Sequence, residues 1–168
     1  MKKIFSLIAL TISFCINAQI STDGTDNSGE FSSAIGSSTK ALGSFTTAAG
    51  KGSNATGERS TAIGNWTYAE GLYSTAIGYY TTANGISATA FGDSTIAFGN
   101  WSTAMGAYTQ AIGEHSTAIG WKSFATGASS TAIGYSTGEE YTQGESNPYY
   151  KNEAVGNYSH VFGNRNKS

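Results

Sequence analysis

The stretch STAIGNWTYAEGLYSTAIG, residues 60–78, contains the pattern that decides the fold of this chain. Its three Gly residues stand seven positions apart, and Ala stands two positions before each of them. The same spacing continues in both directions, so that sixteen Gly residues follow one another in steps of seven from Gly29 to Gly134. A period of this regularity indicates an internal repeat, and the repeat has to be interpreted before any other feature.

A seven-residue period is typical of a coiled coil, but the residues at the constant positions exclude one. A coiled coil needs large apolar residues at two positions of each heptad, whereas this repeat has Gly and Ala there. Gly costs about 1 kcal/mol per residue in a helix interior, and the abundant Thr and aromatic residues favour strands. Seven residues fit one short strand and a tight turn, with Gly supplying the unusual backbone angles. The pattern therefore predicts a solenoid of short strands.

Alternate heptads differ, which makes the true repeat fourteen residues long. In one series the residue before Gly is apolar, and the third residue before Gly is Ser or Thr. The apolar positions are Ile35, Ala49, Ile63, Ile77, Phe91, Met105, Ile119 and Ile133. In the other series both positions vary freely. We therefore predict two short strands in each coil, with successive coils stacked about 4.8 Å apart.

The side chains of a strand alternate between its two sides, which separates the constant positions from the variable ones. In one such strand Ser60, Ala62 and Gly64 share one side, and Thr61 and Ile63 share the other. Because the constant residues are small, we expect them to face a very narrow interior. The predicted interior and turn residues are Ala62, Gly64, Ala76, Gly78, Ala118 and Gly120. The expected fold class is all-β, a parallel β-roll solenoid.

An interior of Ala and Gly buries little apolar area, and at about 25 cal/mol per Å² it does not easily offset the ordering entropy of the chain. The outward apolar column therefore has to pack against another molecule, and identical chains around a symmetry axis close such a surface. We predict a homotrimer. Its expected interface residues are Thr61, Ile63, Thr75, Ile77, Phe91, Met105, Thr117, Ile119, Thr131 and Ile133.

The repeated motifs resemble the head repeats of YadA-like trimeric autotransporter adhesins. The motifs are STAIG at 60–64, 74–78, 116–120 and 130–134, and STAMG at 102–106. The resemblance covers about residues 30–134 and includes both the fourteen-residue spacing and the alternation of heptads. It implies a left-handed parallel β-roll that trimerises through its Ile faces. It also implies display outside a bacterium, where the head binds host matrix, glycans or other cells.

The first residues and the charge balance indicate where the protein works. Residues 1–19 have the pattern of a secretory signal peptide: Lys2 and Lys3, a short apolar stretch, and the small Ala18 before the cleavage point. We expect export to the cell outer surface or the extracellular space, with no membrane insertion by the mature chain. The whole chain has 9 basic and 11 acidic residues and a net charge of −2. Nucleic acid is not an expected partner, because phosphate binding needs a clustered basic face.

The repeat predicts four segments. Residues 1–19 form the signal peptide, 20–135 the β-roll repeats, 136–152 an irregular loop insertion, and 153–168 a further coil and the C-terminal end. The resemblance also implies a neck, a coiled-coil stalk and a membrane anchor, whose patterns do not occur in these 168 residues. We therefore expect either a fragment or an unanchored secreted head.

Residues suited to catalysis or metal binding are few and scattered. His115 and His160 are separated by about three coils, and the single Cys15 lies in the signal peptide. No Ser has a His and an acidic residue at a suggestive spacing, and no phosphate-binding or calcium-binding loop motif occurs. We expect neither an enzyme nor a cofactor.

Exposed aromatic residues are the candidates for ligand binding, because such side chains commonly anchor a partner. These candidates are Tyr68, Trp66, Trp101, Trp121 and Phe124. Aromatic side chains near the turns are equally suited to cover the edge of the roll or to pack between subunits. Two alternatives to an adhesin stay open. The outward Thr and Ile columns are also suited to an ice-binding solenoid, and the repeat alone is compatible with a structural spacer in a fibre.

Overall fold

The computed structural model describes residues 24–136 and 152–165, and over these ranges the chain consists of strands and turns without a helix. The strands are β1 (Ser33–Ser37), β2 (Lys40–Ala41), β3 (Thr47–Lys51), β4 (Asn54–Ala55), β5 (Thr61–Asn65), β6 (Tyr68–Ala69), β7 (Thr75–Tyr79), β8 (Thr82–Ala83), β9 (Thr89–Asp93), β10 (Ile96–Ala97), β11 (Thr103–Ala107), β12 (Gln110–Ala111), β13 (Thr117–Trp121), β14 (Ser123–Ala125), β15 (Thr131–Ser136), β16 (Asn152–Ala154) and β17 (His160–Arg165). The odd-numbered strands form a nine-stranded sheet and the even-numbered strands an eight-stranded sheet. Within the described ranges nothing helical is long and apolar enough to cross a membrane.

Every strand pairs in parallel with the equivalent strand of the next coil. In β5 and β7, for example, Thr61 lies opposite Thr75, and Ile63 lies opposite Ile77. Each residue of one coil therefore lies beside the residue fourteen positions later, from β1 to β15. The predicted fold class, an all-β parallel solenoid of 14-residue coils with two short strands each, is confirmed.

The interior between the two sheets is formed by Ala. Ala62, Ala76 and Ala118 are fully buried, and the equivalent Ala of every other coil from β1 to β16 is buried as completely. Larger apolar side chains such as Ile63 lie on the outer side of the sheet instead. The predicted narrow interior is therefore confirmed, and the aliphatic residues do not contribute to it.

A second set of interior positions carries Ser and Thr, with Ala88 as the exception. The hydroxyl of Ser32 donates to the carbonyl of Gly29 at 2.7 Å, and that of Thr46 donates to Gly43 at 2.7 Å. Most of the other interior hydroxyls, such as those of Ser60, Thr67 and Ser74, have no hydrogen-bond partner among the described residues. Small size, which the narrow interior requires, is therefore the property that these positions share.

The close approach of the coils explains the Gly of the long strands. A Cβ added to Gly64 would lie 1.9 Å from the carbonyl oxygen of Gly78, and Gly64 has a φ of +136°. Gly78 and Gly120 have φ values of +131° and +118° and the same close approach to the next coil. Only a residue without a side chain fits these positions.

The turns differ from the expectation that Gly supplies all the unusual backbone angles. One residue of each turn has a positive φ near 55°, and most of these residues are not Gly; Trp66 at 55° and Trp101 at 54° are examples. An L-residue in this conformation costs about 1–2 kcal/mol. At several turns the side chain contacts its equivalent in the next coil, as Phe31 contacts Phe45 and Trp101 contacts His115.

Strands β16 and β17 extend both sheets beyond a longer connection. His160 in β17 pairs with Thr131 in β15, which is an offset of 29 residues in place of 14. Residues 137–151, most of the predicted insertion, lie outside the described residues, as does the predicted signal peptide.

Candidate binding surfaces

Four surfaces run along the solenoid. The long-strand face carries the outward side chains of the odd-numbered strands, and the short-strand face carries those of the even-numbered strands. Two rows of positive-φ residues join these faces. The first turn edge follows the long strands and contains Ser38, Gly52, Trp66, Tyr80, Ser94, Tyr108 and Lys122. The second turn edge precedes the long strands and contains Phe31, Phe45, Arg59, Tyr73, Ser87, Trp101, His115, Ser129 and Tyr158.

The long-strand face brings the ten predicted interface residues together in two parallel columns. The Thr column contains Thr61, Thr75, Thr117 and Thr131, and the apolar column contains Ile63, Ile77, Phe91, Met105, Ile119 and Ile133. Ile63, Phe91 and Met105 are exposed, and the other seven are half-buried by their neighbours along the column. From β5 to β15 neither column contains a charged residue. The result is a continuous apolar surface of the kind that marks an association site.

The short-strand face is mixed in character. Tyr68 and Phe124 are half-buried and occupy the same column, but they lie four coils apart, or about 19 Å at about 4.8 Å per coil. Beside Tyr68, the Asn84 side chain donates to the Glu70 carboxylate of the preceding coil. Tyr68 and Phe124 therefore do not form one binding site.

The second turn edge carries a stack of flat side chains. Phe31 and Phe45 are stacked with ring centroids 5.0 Å apart. The guanidinium of Arg59 follows, 5.5 Å from the Phe45 centroid and 5.4 Å from that of Tyr73, and it donates to the Tyr73 hydroxyl at 2.7 Å. Cation–π contacts of this kind contribute about 0.5–1 kcal/mol at exposed sites.

The stack resumes two coils later. Trp101 and His115 are stacked with centroids 4.9 Å apart and planes only 6° from parallel. Between Tyr73 and Trp101, the position belongs to Ser87, which carries no ring. The second turn edge therefore has two stacked groups that are separated by one small residue.

The aromatic side chains along the first turn edge meet edge to face instead. Tyr79 and Tyr80 have centroids 4.5 Å apart with planes at 83°, and Tyr108 meets Trp121 in the same way at 5.1 Å. Partial desolvation, with the neighbouring Tyr80 and Asp93, raises the pKa of the Tyr79 phenol above its ordinary value. Ser94 stands between Tyr80 and Tyr108 on this edge, but its hydroxyl donates to the Asp93 carboxylate at 2.8 Å, which places a negative charge beside that position.

The five predicted ligand candidates are thus distributed over four surfaces. Trp66 lies on the first turn edge, Trp101 on the second turn edge, and Tyr68 and Phe124 on the short-strand face. Trp121 ends β13 at the border of the long-strand face, where it meets Tyr108 of the first turn edge. Arg59 and His115 were not predicted as partners of the rings. Their shared fourteen-residue spacing with Phe45 and Tyr73 is the signal that would have found them.

Titratable side chains are dispersed over these surfaces. In the part of the chain that the structure describes, no three His, Cys, Asp or Glu side chains lie close enough together to hold a metal ion. The ring of His115 stacks on Trp101, and that of His160 lies 6.4 Å from Phe162. What the surfaces offer is apolar and aromatic area, which is suited to binding rather than to proton transfer.

Comparison with known protein families agrees with this geometry. The family model of the YadA head domain repeat matches residues 28–53, 55–81, 78–101, 83–109, 102–123 and 111–137, which together make up well over half of the chain. No curated protein matches the chain at a significant level. The matched family is one of adhesins and not of enzymes, and its members are exposed at the cell surface. The narrow Ala interior, the 14-residue coils and these matches together lead to one conclusion: the chain belongs to the YadA head repeat family.

Proposed function

We propose that this protein is the head of a trimeric adhesin that attaches a bacterium to host matrix, to glycans or to other cells. The observation that carries the proposal is the pair of uncharged columns, one of Thr and one apolar, on the long-strand face of a solenoid whose own interior is Ala, Ser and Thr. Membership of an adhesin family supports attachment as the purpose of the assembly. Residues 1–19 supply the route of export as a cleaved signal peptide.

The long-strand face is suited to a symmetric assembly. Its apolar column is straight and runs the length of the solenoid, so identical chains standing side by side bury equivalent residues against one another. Burial of the apolar column stabilises the assembly by about 25 cal/mol per Å² of apolar area removed from water. The Ala interior of a single chain buries too little apolar area to contribute as much. The family supports three chains as the number around the axis.

Assembly through the long-strand face leaves other surfaces for ligands. The short-strand face, with Tyr68 and Phe124, lies on the opposite sheet. The turn edges carry Trp66 and Trp101. Exposed aromatic side chains of this kind are frequent anchors at binding surfaces.

Two measurements on residues 20–168 test the proposal. Sedimentation equilibrium is expected to give three times the monomer mass, and the trimer is expected to bind at least one of immobilised matrix proteins, a glycan array or whole cells. A stable monomer would reject the assembly. A trimer that binds none of these surfaces would favour a structural fibre spacer over an adhesin.

A second candidate function uses the same face in a different way. The Thr column is in register from coil to coil, and its members are half-exposed beside the apolar column. If the face stayed open in a monomer, this regular surface would be suited to ordering water as an ice-binding protein does. A monomer in sedimentation that also shows thermal hysteresis would favour ice binding, and a trimer without hysteresis would exclude it.

A further inference from the structure

The gap in the stack at Ser87 has two aromatic walls. Tyr73, Ser87 and Trp101 occupy the same position in three consecutive coils, so Tyr73 and Trp101 are about 10 Å apart. The Arg59 guanidinium of the preceding coil binds the hydroxyl end of Tyr73, and the ring of His115 in the following coil stacks on Trp101. Both partners lie on the sides away from Ser87, and among the described residues neither ring has a stacked partner on the side of Ser87.

The width of this gap corresponds to one additional ring. A ring placed above Ser87 would lie about 5 Å from each wall, and the stacked pairs of the same edge have centroid distances of 5.0 and 4.9 Å. Ser87 has a φ of 54°, the same as that of Trp101, so the backbone is not what interrupts the stack. The gap is a slot that the small Ser side chain leaves open.

Polar groups lie along the bottom and side of the slot. Ser87 stands between Tyr73 and Trp101 in the column, and Asn100 precedes Trp101 in the chain. The Asn100 side-chain oxygen accepts the backbone N–H of Ile86 at 3.0 Å, which holds this amide in place and leaves its NH₂ as a donor beside the slot. A ligand for this slot therefore needs two apolar faces and a polar edge.

We infer that this slot binds a pyranose ring of a neutral glycan, an inference that rests on the proposed adhesin function and names the ligand class of one of its surfaces. A pyranose presents C–H groups on both faces, which suit the two rings, and hydroxyls around its edge, which suit Ser87 and Asn100. An aromatic side chain of a protein partner would leave the polar groups of Ser87 and Asn100 without partners, which is costly on burial. A nucleobase would bring phosphate, and the nearest cation of the stack, Arg59, is already paired with Glu58 at 3.2 Å.

The same arrangement occurs again three coils further along. Ser129 follows His115 on the second turn edge and precedes Tyr158. The backbone N–H of Ala128 donates to the Asn157 side-chain oxygen at 3.1 Å, just as Ile86 donates to Asn100. Two slots about 14 Å apart on one chain would strengthen the binding of a polymeric glycan through avidity.

Filling the slot is the direct test. In a Trp66→Phe/Trp121→Phe background, Trp101 is the single Trp, and its fluorescence reports on the wall of the slot. The probes are cellohexaose, chitohexaose, maltohexaose and laminarihexaose, added up to about 10 mM. At least one is expected to change the emission saturably, and Ser87→Phe is expected to weaken that binding by about tenfold or more. Phe45 shows that this turn accommodates Phe.

Ser38→Phe is the matched control. Ser38 also has a φ of 54°, but it lies on the first turn edge, so its variant is expected to bind the oligosaccharide as the parent does. Equal binding by Ser87→Phe and its parent, or no response to any of the four oligosaccharides, would overturn the inference. A response to N-acetyltryptophanamide alone would assign the slot to an aromatic side chain instead. Sedimentation and cell binding of Ser87→Phe separate the slot from the adhesin function. A Ser87→Phe trimer that attaches to cells but does not bind the oligosaccharides would leave the adhesin function standing.

Discussion

Glycine at the coil-to-coil contacts has a steric role that can be separated from its backbone freedom. A Cβ on Gly71 would lie 2.0 Å from the carbonyl oxygen of Gly85 in the next coil. Gly156 belongs to the same column in the last described coil, where the nearest atom to an added Cβ is that of Ser159 at 3.9 Å. Neither Gly71 nor Gly156 has a positive φ, so the two differ in the space around them and not in strain.

The substitutions Gly71→Ala and Gly156→Ala are therefore expected to behave differently. Gly71→Ala should lower the free energy of unfolding by more than about 4 kcal/mol or prevent folding, because backbone atoms have to move apart. Gly156→Ala should change it by no more than about 0.5 kcal/mol. Urea denaturation of both variants at one protein concentration measures the difference. Equal effects would mean that the coils do not approach as closely as the structure shows.

At the scale of the strands, the two sheets have the same inner side and different outer sides. Ala62 in β5 and Ala69 in β6 are both fully buried, yet Ile63 lies on a uniform apolar face and Tyr68 on a mixed one. The long-strand face has the same kinds of residue in successive coils, which indicates that each of these coils packs against the same kind of surface. This asymmetry is the strand-level reason to place the subunit interface on the long-strand face.

A charge on each sheet tests that placement. Ile77→Lys puts an ammonium group into the middle of the apolar column and is expected to convert the trimer into a monomer, because burying an unpaired charge is strongly unfavourable. Thr82→Lys in β8 is the matched control, since Thr82 is half-buried on the short-strand face. Sedimentation velocity of both variants provides the measurement. A trimer that tolerates Ile77→Lys but dissociates with Thr82→Lys would move the interface to the other sheet.

At the scale of the molecule, each coil contacts mainly its neighbours, so stability is a sum of repeated local terms. The contribution of each coil to the free energy of folding is small here because the interior consists of Ala, Ser and Thr. An assembly that adds apolar burial along the whole solenoid would then supply a large part of the stability. Folding and association should be coupled.

The coupling predicts a melting temperature that depends on protein concentration. Raising the concentration of the trimer tenfold is expected to raise Tm by several degrees, because mass action favours the folded, associated state. Differential scanning calorimetry at two concentrations measures this shift, and the Ile77→Lys variant should lose it. A Tm independent of concentration in the unmodified chain would contradict the coupling.

The fold and its narrow interior can be predicted from the sequence alone. Every coil needs small residues at the positions of Ala62 and Gly64, and the sequence supplies them every fourteen residues. The slot cannot be predicted in this way. It depends on which sides of Tyr73 and Trp101 already have a partner, and that in turn depends on turns whose positive φ is carried by residues other than Gly. The repeat also predicts a further coil after residue 152, but the pairing of β17 with β15 across 29 residues is a long-range contact that only the tertiary structure decides. Short-range periodicity sets the packing inside the coil, whereas contacts between side chains of different coils decide the binding surfaces.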